Sequence, residues 1–308
     1  MTLRFDGRVA IVTGAGGGLG RQHALALAAR GAAVLVNDLG AAVDGSGGAS
    51  AAAEAVAEEI RKAGGKAVAN GASVTDFAAV QAMVEAALRH WGRVDILVNN
   101  AGILRDKSFA KMELADFRLV MEVHLMGAVH CTKAVWETMR ERRYGRIVMT
   151  TSSSGLYGNF GQANYGAAKM ALVGLMQTLA IEGEKYDIRV NCLAPTAATR
   201  MTEHLMPAAV LKQLEPEIVT PGLIALVGDD APTRTILCAG AGAFEQAHVT
   251  LTQGIHVGDV ADAAERVAAG WAAISSRDGE TVPGSGAAQG TLEIAKAIRA
   301  QAESEASQ

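Results

Sequence analysis

The sequence predicts an α/β protein built on a single doubly wound parallel sheet, followed by a C-terminal extension. Two observations predict this fold class. Short apolar runs rich in Val, Ile and Leu alternate with longer segments of helical periodicity, and no polar linker interrupts the alternation before about residue 200. The runs are continuously apolar, so each strand is expected to be buried on both faces, as in a parallel sheet covered by helices.

Six runs are predicted to form the strands, with helices between them. From about residue 240 the chain becomes irregular and rich in glycine, and helical periodicity returns only at residues 260–274 and 291–307. We therefore predict a domain over residues 1–240 and an extension over residues 241–308, which belongs to the same domain or forms a subunit contact. The predicted strands are residues 8–14, 32–38, 66–69, 94–100, 145–153 and 188–195.

Composition excludes several classes of protein. The 308 residues are 50% hydrophobic and 19% charged, and no apolar run reaches the roughly 18 residues of a membrane span. The net charge of −4, without a basic cluster, argues against nucleic-acid binding, and the N-terminal residues do not resemble a secretion signal. Neither the cysteines nor the histidines have partners at metal-ligand spacing, so we expect no metal site.

A glycine-rich turn follows the first predicted strand and opens the first helix. Residues 13–20 read Thr-Gly-Ala-Gly-Gly-Gly-Leu-Gly. Glycines allow a tight turn and a close approach to a pyrophosphate, whose charge the N-terminus of a helix favours. Taken alone, such a turn also suits an ordinary strand–helix connection.

Asp38 closes the second predicted strand and strengthens the case for a dinucleotide. A carboxylate about 20 residues after a glycine-rich turn accepts hydrogen bonds from the adenosine ribose in Rossmann-type folds. Asp38 would repel a 2′-phosphate, and neither Gly17 nor Leu39 supplies a cation to hold one. The sequence therefore favours NAD over NADP.

The fourth predicted strand ends in Asn99, Asn100, Ala101 and Gly102. Folds of this class bind ligands at the carboxyl edge of the sheet, where this segment would lie. It suits either a simple turn or a surface against which a nucleotide lies.

Tyr165 and Lys169 are four residues apart and therefore share one face of a predicted helix. A nearby ammonium lowers the pKa of a phenol towards the range useful for acid–base catalysis at neutral pH. Ser152 follows the fifth strand, where its hydroxyl could orient a substrate oxygen. Taken alone, a Tyr–Lys pair also suits a solvated or capping pair on a helix surface.

Together these motifs resemble the pattern of the classical short-chain dehydrogenases/reductases. They are Thr-Gly-x-x-x-Gly-x-Gly at 13–20, Asn-Asn-Ala-Gly at 99–102, Ser152 and Tyr-x-x-x-Lys at 165–169, in that order, and the likeness covers roughly residues 8–200. Within that family, residues 37–40, 99–112, 144–169 and 200–207 resemble the (3R)-hydroxyacyl-CoA dehydrogenase unit of the type 2 multifunctional enzyme of peroxisomal β-oxidation. Free-standing bacterial relatives of that unit exist, and the chain looks like one of them.

The resemblance implies a role for each of these residues. Tyr165 would take the proton from the substrate hydroxyl while hydride leaves for NAD. Lys169 would lower the pKa of Tyr165 and hold the nicotinamide ribose, and Ser152 would hydrogen-bond the developing carbonyl oxygen. The implied cofactor-binding residues are Gly14, Gly18, Leu19, Gly20, Asp38, Ser73, Val74, Asn100, Gly102, Tyr165, Lys169 and Thr199.

Three positions depart from the usual pattern of the family. Ser73 stands where Asp is usual, and Thr196 stands where Gly usually follows the proline of the sixth strand. His124 stands where most members carry an Asn whose main-chain carbonyl holds a water near the Lys, and the (3R)-hydroxyacyl-CoA branch also carries His there. For His124, a direct catalytic role and a packing role both stay open.

The leading hypothesis is a reversible, NAD-dependent oxidation of (3R)-3-hydroxyacyl-CoA to 3-oxoacyl-CoA. The alternatives are a 17β-hydroxysteroid or sterol side-chain dehydrogenase, a 3-oxoacyl carrier-protein reductase, and a non-catalytic nucleotide-binding sensor. Ser152 and an apolar lid formed by Met201, Leu205 and Met206 are expected to contact the acyl-CoA or steroid substrate.

We also expect a homodimer or homotetramer, without nucleic-acid or membrane partners. The resemblance implies that helices around residues 112–140 and 161–183 pair into a four-helix contact. The chain ends Glu-Ala-Ser-Gln and lacks a peroxisomal tripeptide, and its composition is rich in Ala, Gly and Arg. The sequence therefore predicts a bacterial cytoplasmic location.

Overall fold

The computed structural model describes residues 2–40, 51–198 and 211–306. An eight-stranded sheet has the strand order β3-β2-β1-β4-β5-β6-β7-β8, in which β1 to β7 pair parallel and β8 pairs antiparallel with β7. The predicted fold class, one doubly wound sheet, is confirmed. The strands are β1 (Val9–Thr13), β2 (Ala33–Asn37), β3 (Lys66–Asn70), β4 (Ile96–Asn99), β5 (Gly145–Thr150), β6 (Ile188–Thr196), β7 (Ile236–Gly240) and β8 (Ala243–Ala247).

The last two strands are absent from the sequence-based prediction. β7 has five residues and only part of it is buried, and all but one residue of β8 are exposed. An exposed edge strand does not need the apolar run by which buried strands are recognised. The prediction of six strands was therefore incomplete at this edge of the sheet.

Helices cover both faces of the sheet and bury two apolar cores. Alternate residues of each strand point to opposite faces, so Val12 joins the core under α1, α2 and α8, whereas Ile11 joins the core under α3, α5 and α7. The helices are α1 (Gly18–Ala29), α2 (Ala51–Lys62), α3 (Phe77–Trp91), α4 (Leu114–Met121), α5 (Gly127–Arg142), α6 (Ser153–Tyr157), α7 (Ala163–Gly183), α8 (Pro216–Leu226), α9 (Ala263–Ala269), α10 (Trp271–Ile274) and α11 (Ala287–Ala306).

A π-helical turn over Glu122–Met126 joins α4 to α5. The residues on both sides of it keep right-handed helical backbone angles, so the helix continues through the turn with one wider ring. Such turns re-aim side chains and are frequent at functional sites. Here the wider ring carries His124, a buried residue.

The chain divides into two compact units, Met1–Ala247 and His248–Gln308. The first contains the whole sheet, including β8, which lies beyond the predicted domain limit at residue 240. In the second unit, Leu251 forms an isolated antiparallel bridge with Thr281. The helix predicted over residues 260–274 is two short helices separated by Gly270, whereas the C-terminal helix begins four residues earlier than predicted.

Candidate active site

The carboxyl ends of the central parallel strands border a cavity of about 430 Å³. The chain crosses from β3 back to the centre of the sheet between β1 and β4, and such a reversal of strand order opens a crevice for ligands. The cavity therefore lies where this fold class binds nucleotides. Its lining includes Gly14, Asp38, Asn100, Ser152, Tyr165 and Lys169.

The turn between β1 and α1 depends on glycine at two positions. Gly14 has a φ of +62°, and a Cβ atom there would lie 2.8 Å from the Cα atom of Ala101. A Cβ atom at Gly20 would collide with the carbonyl oxygen of Gly14. Gly17 caps α1 without a side-chain hydrogen bond, so the first N–H groups of the helix face the turn uncapped. Such a cradle fits the pyrophosphate of a dinucleotide.

Asn100 and Thr13 fasten this turn to the end of β4. The Asn100 side-chain amide donates to the carbonyl oxygens of Thr13 and Gly14, each at 3.0 Å. The Thr13 hydroxyl accepts from the backbone N–H groups of Asn100 and Ala101 at 3.0 and 3.1 Å. Asn100 therefore fixes the shape of the turn as well as lining the cavity, a role that the sequence did not predict.

Both oxygens of the Asp38 carboxylate are held by backbone groups. Oδ2 accepts from the Gly16 N–H at 2.8 Å, and Oδ1 accepts from the Gly40 N–H at 2.6 Å. A Cβ atom at Gly16 would lie 2.8 Å from that carboxylate, so the glycine also allows the close contact. The negative charge is thus fixed at the cavity wall, directly after β2.

Ser73 and Val74 lie on the same cavity wall after β3. The Ser73 hydroxyl forms a 2.8 Å hydrogen bond with the hydroxyl of Thr75, another lining residue that the sequence did not single out. Thr75 belongs to no motif, so only its spatial position could identify it. At this part of the wall, the hydroxyl of Ser73 stands where the family usually has a carboxylate, and the hydroxyl of Thr75 lies beside it.

Tyr165 and Lys169 project from α7 into the cavity. The Lys169 ammonium donates to the Thr150 carbonyl oxygen at 2.5 Å, and its Nζ atom lies 5.4 Å from the centre of the Tyr165 ring. Burial lowers the pKa of Lys169 to about 7. Burial raises the pKa of Tyr165, the Ser152 hydroxyl lowers it, and the Asp106 carboxylate raises it. Taken alone, the Tyr165 phenol and the Lys169 amine therefore each favour the neutral form. The phenolate and the ammonium are stabilised only when both are present, because their charges attract each other.

Ser152 is a buried residue and the N-cap of α6, where its hydroxyl accepts from the Ser154 N–H at 3.1 Å. The hydroxyl also hydrogen-bonds the Tyr165 phenol and so lowers its pKa. Ser152 and Tyr165 thus line one cavity and can address the same substrate oxygen.

His124 lies against Tyr165 from the π-helical turn. The two ring centroids are 5.2 Å apart and the ring planes meet at 88°. The Nε2 atom lies 2.8 Å from the carbonyl oxygen of Ile103, whereas the buried Nδ1 atom has no partner among the described residues. Burial, and then the charge of Lys169, hold the pKa of His124 well below its usual range, so the ring is neutral. A Cβ atom at Gly102 would collide with this ring, so Gly102 makes room for His124.

Comparison with known proteins identifies the family. A family model described as short chain dehydrogenase matches residues 8–209. The chain belongs to the short-chain dehydrogenase family. Its cofactor class is therefore the nicotinamide dinucleotides, which the glycine turn fits.

Two curated relatives of this dehydrogenase are 48% identical to it. Peroxisomal multifunctional enzyme A of Dictyostelium discoideum matches over 92% of this chain and 63% of its own length. A putative short-chain type dehydrogenase/reductase of Mycobacterium tuberculosis matches over 90% of this chain and 97% of its own length. The chain thus spans less than two thirds of the multifunctional relative and nearly all of the mycobacterial one.

Two solved structures resemble the dehydrogenase. Full-length peroxisomal multifunctional enzyme type 2 from Drosophila melanogaster is 38% identical with a TM-score of 0.77, over 94% of this chain and 49% of that chain. A 7α-hydroxysteroid dehydrogenase, solved with NADH and 7-oxo glycochenodeoxycholic acid, is 30% identical with a TM-score of 0.70, over 78% of this chain and 95% of that chain. The dehydrogenase thus resembles part of a peroxisomal multifunctional enzyme and nearly all of a hydroxysteroid dehydrogenase.

Four predicted site residues, Thr199, Met201, Leu205 and Met206, lie outside the described residues. Within the described part of the dehydrogenase, no group of three or more His, Cys, Asp or Glu side chains could hold a metal ion. The same described residues include no helix long and apolar enough to cross a membrane.

Proposed function

We propose that this dehydrogenase uses NAD to oxidise (3R)-3-hydroxyacyl-CoA to 3-oxoacyl-CoA, reversibly. The observation that carries the proposal is the presence of Ser152, Tyr165 and Lys169 in the same cavity as the glycine turn and Asp38. A secondary alcohol and a dinucleotide can therefore meet beside an acid–base group. The relationship to multifunctional peroxisomal enzymes supports an acyl-CoA as the alcohol.

In the proposed reaction, the phenolate of Tyr165 takes the proton of the substrate hydroxyl as the carbon–oxygen double bond forms. NAD held by the glycine turn and Asp38 would supply the acceptor for the hydride that leaves the same carbon. The Ser152 hydroxyl donates a hydrogen bond to the substrate oxygen and keeps it beside the phenol. The reverse reaction returns the proton from Tyr165 to the carbonyl oxygen, which becomes the hydroxyl again.

Lys169 supplies the positive charge that the phenolate needs. Burial disfavours the charged forms of both Tyr165 and Lys169, but opposite charges attract strongly in such a poorly solvated site. The Thr150 carbonyl oxygen orients the ammonium by accepting a hydrogen bond from it. Lys169 is thereby placed to favour the phenolate without leaving the wall of the cavity.

Asp38 supports NAD as the cofactor. Its carboxylate is fixed by the backbone N–H groups of Gly16 and Gly40, so it cannot swing away from an adenosine ribose. A 2′-phosphate would meet that charge at close range, which is unfavourable. The similarity to a steroid dehydrogenase solved with NADH agrees with this preference.

A hydroxysteroid is the second candidate substrate, because a 7α-hydroxysteroid dehydrogenase shares the fold at 30% identity. The test is the rate of NADH formation from NAD with (3R)- and (3S)-3-hydroxyacyl-CoA of several chain lengths and with a 17β-hydroxysteroid. The same substrates are then tested for NADPH formation from NADP. Turnover of the (3R)-hydroxyacyl-CoA with NAD is the expected result. Turnover of the steroid alone, or of no alcohol at all, would overturn the proposal.

We propose a homo-oligomer formed through the outer faces of α5 and α7. Met170 and Ile181, on α7, are 40% and 45% exposed, which is unusual for large apolar side chains on a long helix. Light scattering of the purified chain tests this, and a monomeric mass at micromolar concentration would contradict it.

A further inference from the structure

Gln162 connects two loops at the wall of the candidate active site. It is the N-cap residue of α7, three residues before Tyr165, and it lines the same cavity. Its Nε2 atom donates to the Asp106 carboxylate at 2.7 Å. Its Oε1 atom accepts from the Ser154 hydroxyl at 2.8 Å and from the Asn159 side-chain amide at 3.1 Å.

These contacts fix the orientation of the Gln162 amide. The reversed orientation would turn Oε1 towards the Asp106 carboxylate and lose two donors to Oε1, which is unfavourable on both counts. Both acceptor positions of Oε1 are occupied, and one of the two Nε2 hydrogens is used. Among the described residues, no partner takes the second Nε2 hydrogen. Because Gln162 lines the cavity, this unused hydrogen is a donor that it can offer to a bound ligand.

A donor at this place suits one feature of the proposed substrate class. In a 3-hydroxyacyl thioester, the carbonyl oxygen at C1 lies two carbons from the hydroxyl-bearing C3. While Tyr165 and Ser152 hold the oxygen on C3, a neutral donor one helical turn away can reach the oxygen on C1. A hydroxysteroid carries no second oxygen at that separation. The polar wall thus discriminates between the two candidate substrate classes.

We propose that Gln162 is a specificity-determining residue that donates a hydrogen bond from Nε2 to the thioester carbonyl of a 3-hydroxyacyl substrate. The inference rests on the proposed function and deepens it. Asp106 and Ser154 act as positioning residues, because they fix the amide orientation that leaves one Nε2 hydrogen unused. A neutral amide is suited to this task, since it binds a carbonyl oxygen without a buried charge.

The test compares a (3R)-3-hydroxyacyl-CoA with its thioether analogue, an S-(3-hydroxyalkyl)-CoA that lacks only the carbonyl oxygen. The ratio of the two kcat/KM values measures recognition of that oxygen. The wild-type protein is expected to prefer the thioester by about 10-fold or more, the effect of one buried hydrogen bond. In Gln162→Met, which keeps the length of the side chain and removes the donor, the ratio is expected to fall to within about 3-fold.

Gln177→Met, on the same helix, is the matched control. Gln177 bonds Arg234, outside the cavity, so its variant is expected to keep the wild-type ratio. Gln162→Leu repeats the measurement with a shorter apolar side chain if the Met variant does not fold.

The two proposals fail in different ways. A Gln162→Met protein that keeps the wild-type ratio, or that loses thioester and thioether turnover to the same extent, overturns the role of Gln162. Failure of the wild-type protein to oxidise any 3-hydroxyacyl-CoA overturns the proposed function itself.

Discussion

The imidazole of His124 meets the phenol of Tyr165 edge-on, with the ring centroids 5.2 Å apart. Two elements far apart in sequence create this contact: the π-helical turn carries the imidazole, and α7 carries the phenol. The backbone of Ile103 holds the imidazole by a hydrogen bond, and the ring occupies the space that a side chain at Gly102 would fill. The position of the proposed acid–base group thus depends on a buried neutral ring behind it.

The first prediction concerns Gly102 and His124. The Cβ atom of Gly102→Ala would collide with the imidazole and displace it from its present contact with Tyr165. We expect kcat to fall by about 10-fold or more, since overpacking of this kind costs roughly 1–3 kcal/mol. His124→Ala alone should also lower kcat, because the phenol loses its support.

A double-mutant cycle of kcat tests this relationship. Gly102→Ala combined with His124→Ala should be less impaired than the product of the two single effects, because the collision is removed. Strict multiplicativity of the single effects would contradict the steric explanation.

The second prediction concerns the proton transfer proposed for Tyr165. Tyr165→Phe should lower kcat by about 10²- to 10⁴-fold, the usual contribution of a general acid–base group. Quenching of protein fluorescence by added dinucleotide should persist, because the glycine turn and Asp38 are intact. Tyr186→Phe, which removes a phenol hydroxyl bonded to Arg140, is the control and should retain activity. Full turnover by the Tyr165 variant would refute the assignment.

The third prediction uses the pKa of Lys169, which burial lowers to about 7. Its value in the unfolded chain is about 10.4, so between these values the unfolded state binds the extra proton. Stability from this group therefore increases as pH rises from 7 towards 10. The neighbouring titratable groups are His124, whose pKa is lowered, and Tyr165 and Cys192, whose pKa values are raised. The unfolded Cys192 thiol begins to ionise towards pH 8.5, which lowers stability, but wild type and a Lys169→Met variant share the residue, so comparing the two isolates the contribution of Lys169.

Thermal unfolding of the cofactor-free protein at pH 7.0 and 8.5 is the measurement. The wild-type Tm should rise relative to that of Lys169→Met by a few degrees, about 2–4 °C per kcal/mol in a protein of this size. Parallel pH dependences for the two proteins would show that Lys169 keeps its proton in the folded state.

The fourth prediction concerns cofactor choice. Asp38→Asn keeps an oxygen that can accept from Gly16 or Gly40, but it removes the charge that opposes a 2′-phosphate. The ratio of kcat/KM for NAD over NADP should fall by about 10-fold or more, since juxtaposed like charges cost several kcal/mol. The control is Asp76→Asn at the N-cap of α3, where the ratio should not change. An unchanged ratio in the Asp38 variant would locate discrimination elsewhere.

Local sequence predicts those parts of the site in which residues act at short separation. Gly14 and Gly20 belong to one turn, and Tyr165 and Lys169 lie on one helical face. Their spacing in the sequence is therefore enough to predict that the members of each pair lie close together. The hydrogen bonds from Asp106 through Gln162 to Ser154 are different, because they join a loop to α6, and only the folded chain brings these two segments together. No periodicity marks Gln162 as a member of a polar network.

The fold shows the same division. Five of the six predicted strands are mostly buried and are recognised by their continuous apolar runs, whereas only Ala67 is buried in β3, and β8 lies at the edge with Phe244 and Glu245 both exposed. The π-helical turn around His124 also escapes prediction, because one extra residue in a helical ring leaves the apolar pattern of α4 and α5 nearly unchanged.

Gly102 and His124 have a consequence for the natural variation of this enzyme. Because a side chain at position 102 would collide with the imidazole of His124 as it lies in this structure, substitutions at the two positions are not independent. Among close relatives, a residue larger than glycine at position 102 should occur only where position 124 carries a side chain smaller than histidine. The end of one strand and the middle of a distant helix are therefore expected to evolve as a pair.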